Sequence, residues 1–168
     1  MFVVSRFENA LKVKPEIAED LWHLEKLIAP GDRVSGKSER KFVSAGGRQE
    51  RKDITVILDV EKVEFHKSSG KLKVLGTIIG GRPEEFIQLR QHHSLDVDLF
   101  DVVTIEKPEG WKKHEMERLR EAHEAAKRPK VFVLAIDERE AEFFVIRELG
   151  VDSLGRIELQ GGGKQYAE

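Results

Sequence analysis

Hydrophobic positions along the chain fall into short alternating runs, and the longest run sets the frame for the rest. Between Arg48 and Phe65, Ile54, Val56, Leu58 and Val60 recur at every second residue, with Thr55, Ile57 and Asp59 between them. Residues two apart share a face of a β-strand, so this run predicts a strand with one apolar side. The phase then slips: Val63 and Phe65 are two apart from each other but three from Val60, which predicts a β-bulge near Glu61–Lys62 in a bent strand. Upstream, Phe2–Phe7 and Ala10–Val13 read as two strands joined by a tight turn at Glu8-Asn9. Ile17, Leu21, Leu24 and Ile28 are spaced i, i+4, i+7 and i+11, the stripe of an amphipathic helix that starts at Pro15-Glu16 and stops at Pro30-Gly31. Gly31 to Val43 is strand-like but heavily charged, and Ala45-Gly46-Gly47 forms the tip that leads into Arg48. Past the turn at Ser68-Ser69-Gly70, the alternation Leu72, Val74, Gly76, Ile78 predicts a return strand ended by Gly80-Gly81. Pro83 to Gln91 reads as irregular or briefly helical, and Asp98 to Glu106 as a further strand.

About six short strands and one helix in the first hundred or so residues predict a mainly β, α+β fold, a small antiparallel barrel or half-barrel. Trp111 to Lys127 is a charged helix with a thin stripe (Met116, Leu119, Ala122, Ala126), a pattern that suits a bridge between domains better than a core helix. Pro129 breaks it. Three strands follow, Val131–Asp137, Ala141–Ile146 and Leu154–Leu159, ahead of Gly161-Gly162-Gly163-Lys164 and with no helix to cover them. Such a sheet lacks a partner layer, so residues 129–168 read as the unfinished start of a second domain. If exposed, it is expected to be disordered or to pair with another chain through its edge.

Charge changes this picture locally. The chain carries a net −2, yet Gly31 to Asp53 holds seven Lys and Arg against four acids, leaving +3 in that window and −5 elsewhere. A basic surface on an acidic protein suggests a specific polyanion contact. The absence of cysteine rules out disulfides and thiolate metal sites and suits a reducing cytoplasm. The start, MFVVSRFENA, does not have the form of a signal peptide, and the longest apolar run, Val131 to Ile136, is six residues and too short to span a membrane.

Four groups of residues are candidates for chemistry. Gly31 to Ser38 fits the phosphate-loop pattern G-x-x-x-x-G-K-[ST], with Gly36, Lys37 and Ser38 at its end, but that mechanism needs a strand before the loop and a helix after it. Here a helix precedes and β-formers follow, so Lys37 reads as a surface cation on a strand. His92-His93 are adjacent and point to opposite sides of an extended chain, and His114 and His123 fall on opposite faces of a helix, which disfavours a metal site at either pair. Glu16, Glu19 and Asp20 form a carboxylate cluster that could hold a divalent cation, or could simply favour a helix N-terminus. Lys37, Arg40, Lys41, Arg48, Arg51 and Lys52 flank one hairpin tip and could converge on a phosphate backbone, or could be a strand edge protected by charge.

Several blocks together resemble archaeal Pelota. Asp20-Leu21-Trp22-His23-Leu24, then Ile28 and Gly31-Asp32-Arg33-Val34, are similar to that family's signature. The basic run into Val63-Glu64-Phe65, then Gln91-His92-His93-Ser94-Leu95, Ile105-Glu106-Lys107 before Trp111, and Asp137-Glu138-Arg139-Glu140-Ala141 follow in the family's order. The resemblance implies an Sm-like barrel at about 1–128, then the start of a ribonuclease H-like α/β domain at about 129. It implies a non-catalytic adaptor in mRNA surveillance (no-go decay) and ribosome rescue, cytoplasmic and monomeric. Its basic residues Lys37, Arg40, Lys41, Arg48, Arg51 and Lys52 would contact mRNA and ribosomal RNA in the empty decoding site of a stalled ribosome. The family's further partners, a translational GTPase of the elongation factor 1 alpha type and an ABC-class recycling ATPase, are engaged through parts with no counterpart in these residues. No cofactor is required for that binding. The family is also described with a divalent-metal-dependent endoribonuclease activity, for which Glu16, Glu19 and Asp20 lie where carboxylates would be sought. Gly161-Gly162-Gly163-Lys164 is not the glycine-glycine-glutamine tripeptide of termination factors, so peptide release is not expected.

Overall fold

Ile54, Val56, Leu58 and Val60 are all buried, and the strand that carries them is the spine of the fold. The computed structural model describes residues 1–43, 49–125, 127–128 and 130–158, with side chains at all of these except 41–43, 49 and 50. It divides into two units, Met1–Lys127 and Arg128–Glu168. In the first, strands β1 (Phe2–Arg6), β2 (Ala10–Lys14), β3 (Arg33–Val43), β4 (Gln49–His66), β5 (Lys71–Arg82), β6 (His92–Val97) and β7 (Val103–Glu106) form one sheet in the order β1-β2-β7-β3-β4-β5-β6. Every pairing in it is antiparallel.

The sheet curls because β4 is broken by two register shifts against β5, at Ile57/Leu58 and at Val60/Lys62. The second is the predicted bulge, and an extra residue on one strand bends the pair. Glycines let β5 follow that bend: a Cβ at Gly76 would lie 2.1 Å from the carbonyl oxygen of Asp59. The curl brings β6 back against β3, where a Cβ at Gly36 would meet Leu95 Cδ2 at 2.9 Å. The strand spacing predicts this half-barrel.

Two sequence expectations need correction here. Gly80-Gly81 do not end β5, which runs on to Arg82. Gly81 is required by close approach instead, since a Cβ there would sit 2.3 Å from the Thr55 oxygen. Asp98–Glu106 is not one strand: β6 ends at Val97 and β7 begins at Val103. Between them the chain turns, with Phe100 at φ 70° donating its N–H to the Pro15 oxygen at 2.7 Å and Asp98 donating its N–H to the Asp101 carboxylate at 2.9 Å.

Helix α1 (Ala18–Leu27) buries Leu21, Leu24 and Leu27 in the same core as Val34, Leu72, Val74 and Ile105. Each of these side chains contributes roughly 1.5–3 kcal/mol by leaving water. Glu25 of α1 accepts the Phe65 N–H at 2.9 Å and so ties the helix to the bulged end of β4. Helix α2 (Lys113–Ala125) buries Leu119 and Ala122 in that core and lies against α1, so its thin stripe packs inward and is not a bare bridge. Trp111, just before it, donates its indole N–H to the Asn9 oxygen at 3.1 Å.

The second unit is a three-stranded antiparallel sheet, β8 (Val131–Ile136), β9 (Glu140–Arg147) and β10 (Gly150–Glu158), in the order β10-β9-β8. Strand β10 starts before the expected Leu154, because a two-residue turn at Glu148-Leu149 brings Gly150, at φ 122°, opposite Arg147. Gly161 to Lys164, and Ala126, lie outside the described residues.

Candidate nucleic-acid interface

The basic window folds into the β3–β4 hairpin. Its register pairs Lys37 with Thr55, Glu39 with Asp53, Arg40 with Lys52 and Lys41 with Arg51. Side chains alternate across a strand, so this register sorts the six candidate cations by face. Arg40 and Lys52 share the face that continues into Ile54 and Val56, while Lys37 and Arg51 take the other. Arg48 and the Lys41 side chain lie outside the described residues.

On the first face the two cations rest on the segment between β5 and β6. Arg40 is a fork over this segment: one guanidinium nitrogen donates to the Phe86 carbonyl oxygen at 3.2 Å, and the other to the side-chain oxygens of Gln88 and Gln91, the latter at 2.9 Å. These acceptors are neutral, so Arg40 keeps its charge. Lys52 places its ammonium 4.2 Å from the centre of the Phe86 ring, a cation–π contact. Phe86 belongs to the single helical turn Glu84–Phe86, which matches the brief helicity expected of Pro83–Gln91. The result is a half-buried aromatic side chain with Lys52 over its ring and Arg40 on its backbone carbonyl. Stacking surface beside positive charge is what single-stranded RNA binds, through its bases and its phosphates.

The opposite face is mixed. Arg51 meets Glu39 at 3.4 Å. Lys37 opens onto a groove of about 550 Å³ whose lining includes Glu39, Asp53, Asp96, Asp98 and Asp101, so carboxylates outnumber cations there. That field opposes a phosphate. Exposed Arg82, opposite Thr55 on β5, extends this face across a third strand; residues so far apart in sequence give no local charge signal.

His93 sits under the hairpin, its Nε2 2.9 Å from the Ser38 hydroxyl. Burial pushes its pKa down, and the nearby Arg40 charge pushes the same way against a smaller opposing pull from Asp96. The neutral ring thus fastens β6 to β3. His92, on the other side of the strand, lies 3.2 Å from Glu61, so the two histidines diverge as adjacent strand residues must.

The phosphate-loop match has a different fate. Residues 33–38 are strand, and Arg33 to Ser35 pair with β7 on one side and β4 on the other. The backbone groups that would cradle phosphates sit in β-ladders, Gly36 faces Leu95 and Ser38 bonds His93. Among the described residues β4 follows and no helix does, so Lys37 is a strand cation as read from the sequence, and nothing here favours nucleotide binding at Gly36, Lys37 and Ser38.

The carboxylates of α1 take separate positions. Asp20 is fully buried and accepts the Met1 amine at 2.7 Å with one oxygen, and the N–H groups of Glu16 and Ile17 at 2.8 and 3.2 Å with the other. Glu16 is exposed, its carboxylate 4.0 Å from Lys14, and Glu19 is buried. Among the described residues no group of three or more His, Asp or Glu is arranged to hold a metal ion.

The residue that sequence reasoning missed is Lys107. Only 4% exposed, it donates to Asp32 at 2.6 Å, to Glu115 at 2.8 Å and to the Leu27 oxygen at 2.7 Å, joining the end of α1, the start of β3 and the start of α2. Burial pushes the Glu115 carboxyl up, but its bonds to Lys107 and to the Lys112 N–H outweigh this and hold it below the usual range. Asp32 and Lys107 both stood in the sequence blocks quoted above; nothing in the local pattern marks them as a pair.

Comparison with known proteins places this geometry in a family. The Pelota N-terminal domain model matches residues 3–123, and the chain belongs to the Pelota family. It is 39% identical over 164 residues to a protein pelota homolog of Thermococcus gammatolerans, covering 95% of this chain and 45% of that one. A homolog from Methanocaldococcus jannaschii is 35% identical over 155 residues. The chain thus spans about half the length of the curated relatives it matches. Among solved structures, the Pelota chain in a model of ribosome-bound archaeal Pelota and ABCE1 is 36% identical, with a TM-score of 0.63 over 99% of this chain and 48% of that one. The crystal structure of Archaeoglobus fulgidus Pelota is 30% identical, with a TM-score of 0.55 over 94% of this chain and 44% of that one. Among the described residues no helix is long and apolar enough to cross a membrane.

Proposed function

We propose that this chain recognises stalled ribosomes, in ribosome rescue and mRNA surveillance in the cytoplasm, by laying the β3–β4 hairpin against RNA at an empty decoding site. The observation that carries the reading is the Arg40–Lys52 pair standing in register, with Lys52 over the Phe86 ring and Arg40 on the Phe86 carbonyl. Two cations beside an aromatic ring take a phosphate backbone and a splayed base together. Membership of the Pelota family and the similarity to a ribosome-bound archaeal Pelota support the same partner. Lys37 and Arg51, on the acidic opposite face, take no part in this contact. The action is binding by charge and shape, and needs no cofactor. Hand-over to an ABC-class recycling ATPase and to a translational GTPase would follow in a longer protein; the similar archaeal Pelota is ribosome-bound in a model that also contains ABCE1.

The test is co-sedimentation of the chain with ribosomes whose decoding site is empty or filled by transfer RNA. Retention on the empty ribosome and loss on the filled one is the expected result. Equal retention on both would overturn the assignment to that site.

A further inference from the structure

The far edge of the sheet carries a second surface that the hairpin does not use. Strand β1 is the terminal strand of the sheet and, among the described residues, pairs only with β2. Alongside it runs a groove of about 370 Å³ lined by Phe2, Val3, Leu11, Met116 and Leu119, with Arg6, Arg120 and His123. Met116, Leu119, Arg120 and His123 lie at i, i+3, i+4 and i+7, one face of α2 turned toward β1. Phe2 is 51% and Val3 39% exposed, apolar surface next to an unpaired strand edge.

We propose that this edge and groove dock an extended, acidic peptide segment of a partner protein, which adds to β1 as a further strand and inserts alternate apolar side chains between β1 and α2. Main-chain pairing to a strand edge supplies affinity, and pockets for every second side chain supply register. The charge of the partner follows from the lining. It contains Arg6 and Arg120 and no carboxylate; three of the four acids of α2 are engaged elsewhere, Glu115 with Lys107, Glu117 with Lys113 and Glu124 with Lys127, and the fourth, Glu121, lies outside the lining. Among the described residues neither arginine has a carboxylate partner, so a glutamate or aspartate on the incoming strand completes both. Among the described residues no cation lies over the Phe2 ring as Lys52 lies over Phe86, and a mainly apolar lining with a basic rim suits a peptide better than nucleic acid.

The test uses fluorescence anisotropy with a labelled peptide of alternating glutamate and large apolar residues. Its controls are the same peptide with lysine for glutamate and a version with proline at every apolar position, which cannot donate to a strand edge. The glutamate peptide is expected to bind and both controls to bind at least tenfold more weakly. Arg6→Glu/Arg120→Glu, exposed changes in which ribosome binding serves as the check of folding, is expected to lose the peptide by at least tenfold while still sedimenting with ribosomes. Equal binding of the lysine peptide, or peptide binding that survives the double change, would overturn the proposal. Concentration-dependent dimerisation abolished by the same double change, with no peptide binding, would also overturn it, because the groove would then receive a second copy of this chain.

Discussion

Arg40 on β3 and Lys52 on β4 stand directly opposite each other, two like charges in register, and both are held by the segment that contains Phe86. Like charges across a ladder destabilise a strand pair. The Phe86 carbonyl, the two glutamine oxygens and the Phe86 ring offset that cost without neutralising Arg40.

The fork geometry of Arg40 makes the first prediction. Arg40→Lys keeps the charge but cannot reach three oxygens at once, because an ammonium lacks the planar fork. The loss is about 1 kcal/mol, at the low end for charged hydrogen bonds because two of the three are exposed. Hydrogen exchange would show it first at residues 84–91, with the Ile87 and Arg90 amides exchanging faster. Unchanged protection there would mean the segment is held by its apolar contacts alone.

His93 predicts a pH dependence with a definite sign. Its folded pKa lies below the ordinary histidine value, so the unfolded chain binds the proton first. The contribution of the neutral ring is therefore complete above about pH 6.5 and is lost as pH falls through the depressed folded value. Chemical denaturation between pH 7 and 5 is expected to show this decline, and His93→Gln, which keeps a hydrogen-bonding group near Ser38 but cannot titrate, to flatten it. An equal slope in the variant would assign the decline to other groups.

Lys107 makes the third. Lys107→Met leaves Asp32 and Glu115 facing each other with no cation, and breaking a buried charge cluster from one side costs about 3–5 kcal/mol. In the unaltered protein Glu115 titrates below its usual range, so its stabilisation is present above about pH 4.5 and disappears as pH falls through the lowered value. The gap in stability between variant and parent should accordingly narrow on acidification. A gap constant with pH would show that lost packing, and not charge, is the cause.

Asp20 separates a structural carboxylate from a metal ligand. Asp20→Asn removes the partner of the buried Met1 amine and weakens the acceptor of two N–H groups, and is expected to lower the denaturation midpoint by an amount equivalent to about 3 kcal/mol. EDTA is expected to leave the melting temperature and RNA binding of the parent protein unchanged. A fall in either on chelation would return Glu16, Glu19 and Asp20 to consideration as a cation site.

Much of the fold was legible because it rests on alternation. Ile54 to Val60 announced the buried face of β4, and the slip before Val63 announced its bulge. Glycines were read less well, since Gly81 looks like a stop in sequence but serves a close approach to Thr55 that only the folded sheet creates. The division of the basic cluster was available and overlooked: the same alternation that buries Ile54 places Lys52 on its face and Arg51 on the other. What no local pattern carried was Lys107, whose two acidic partners lie 75 residues before it and on the following helix. A lysine in sequence reads as surface, and only long-range charge pairing puts it inside.

We propose that the cations on the Phe86 face read RNA and that the groove-facing ones do not. The measurement is the salt dependence of binding to ribosomes with an empty decoding site, for the parent chain, Lys52→Ala and Lys37→Ala. Each lost phosphate contact lowers the slope of log K against log salt by about one. Weaker binding and a slope reduced by about one are expected for Lys52→Ala, and little change for Lys37→Ala, whose surroundings are acidic. A slope reduced by about one for Lys37→Ala and unchanged for Lys52→Ala would contradict this and move the RNA to the opposite face of the hairpin.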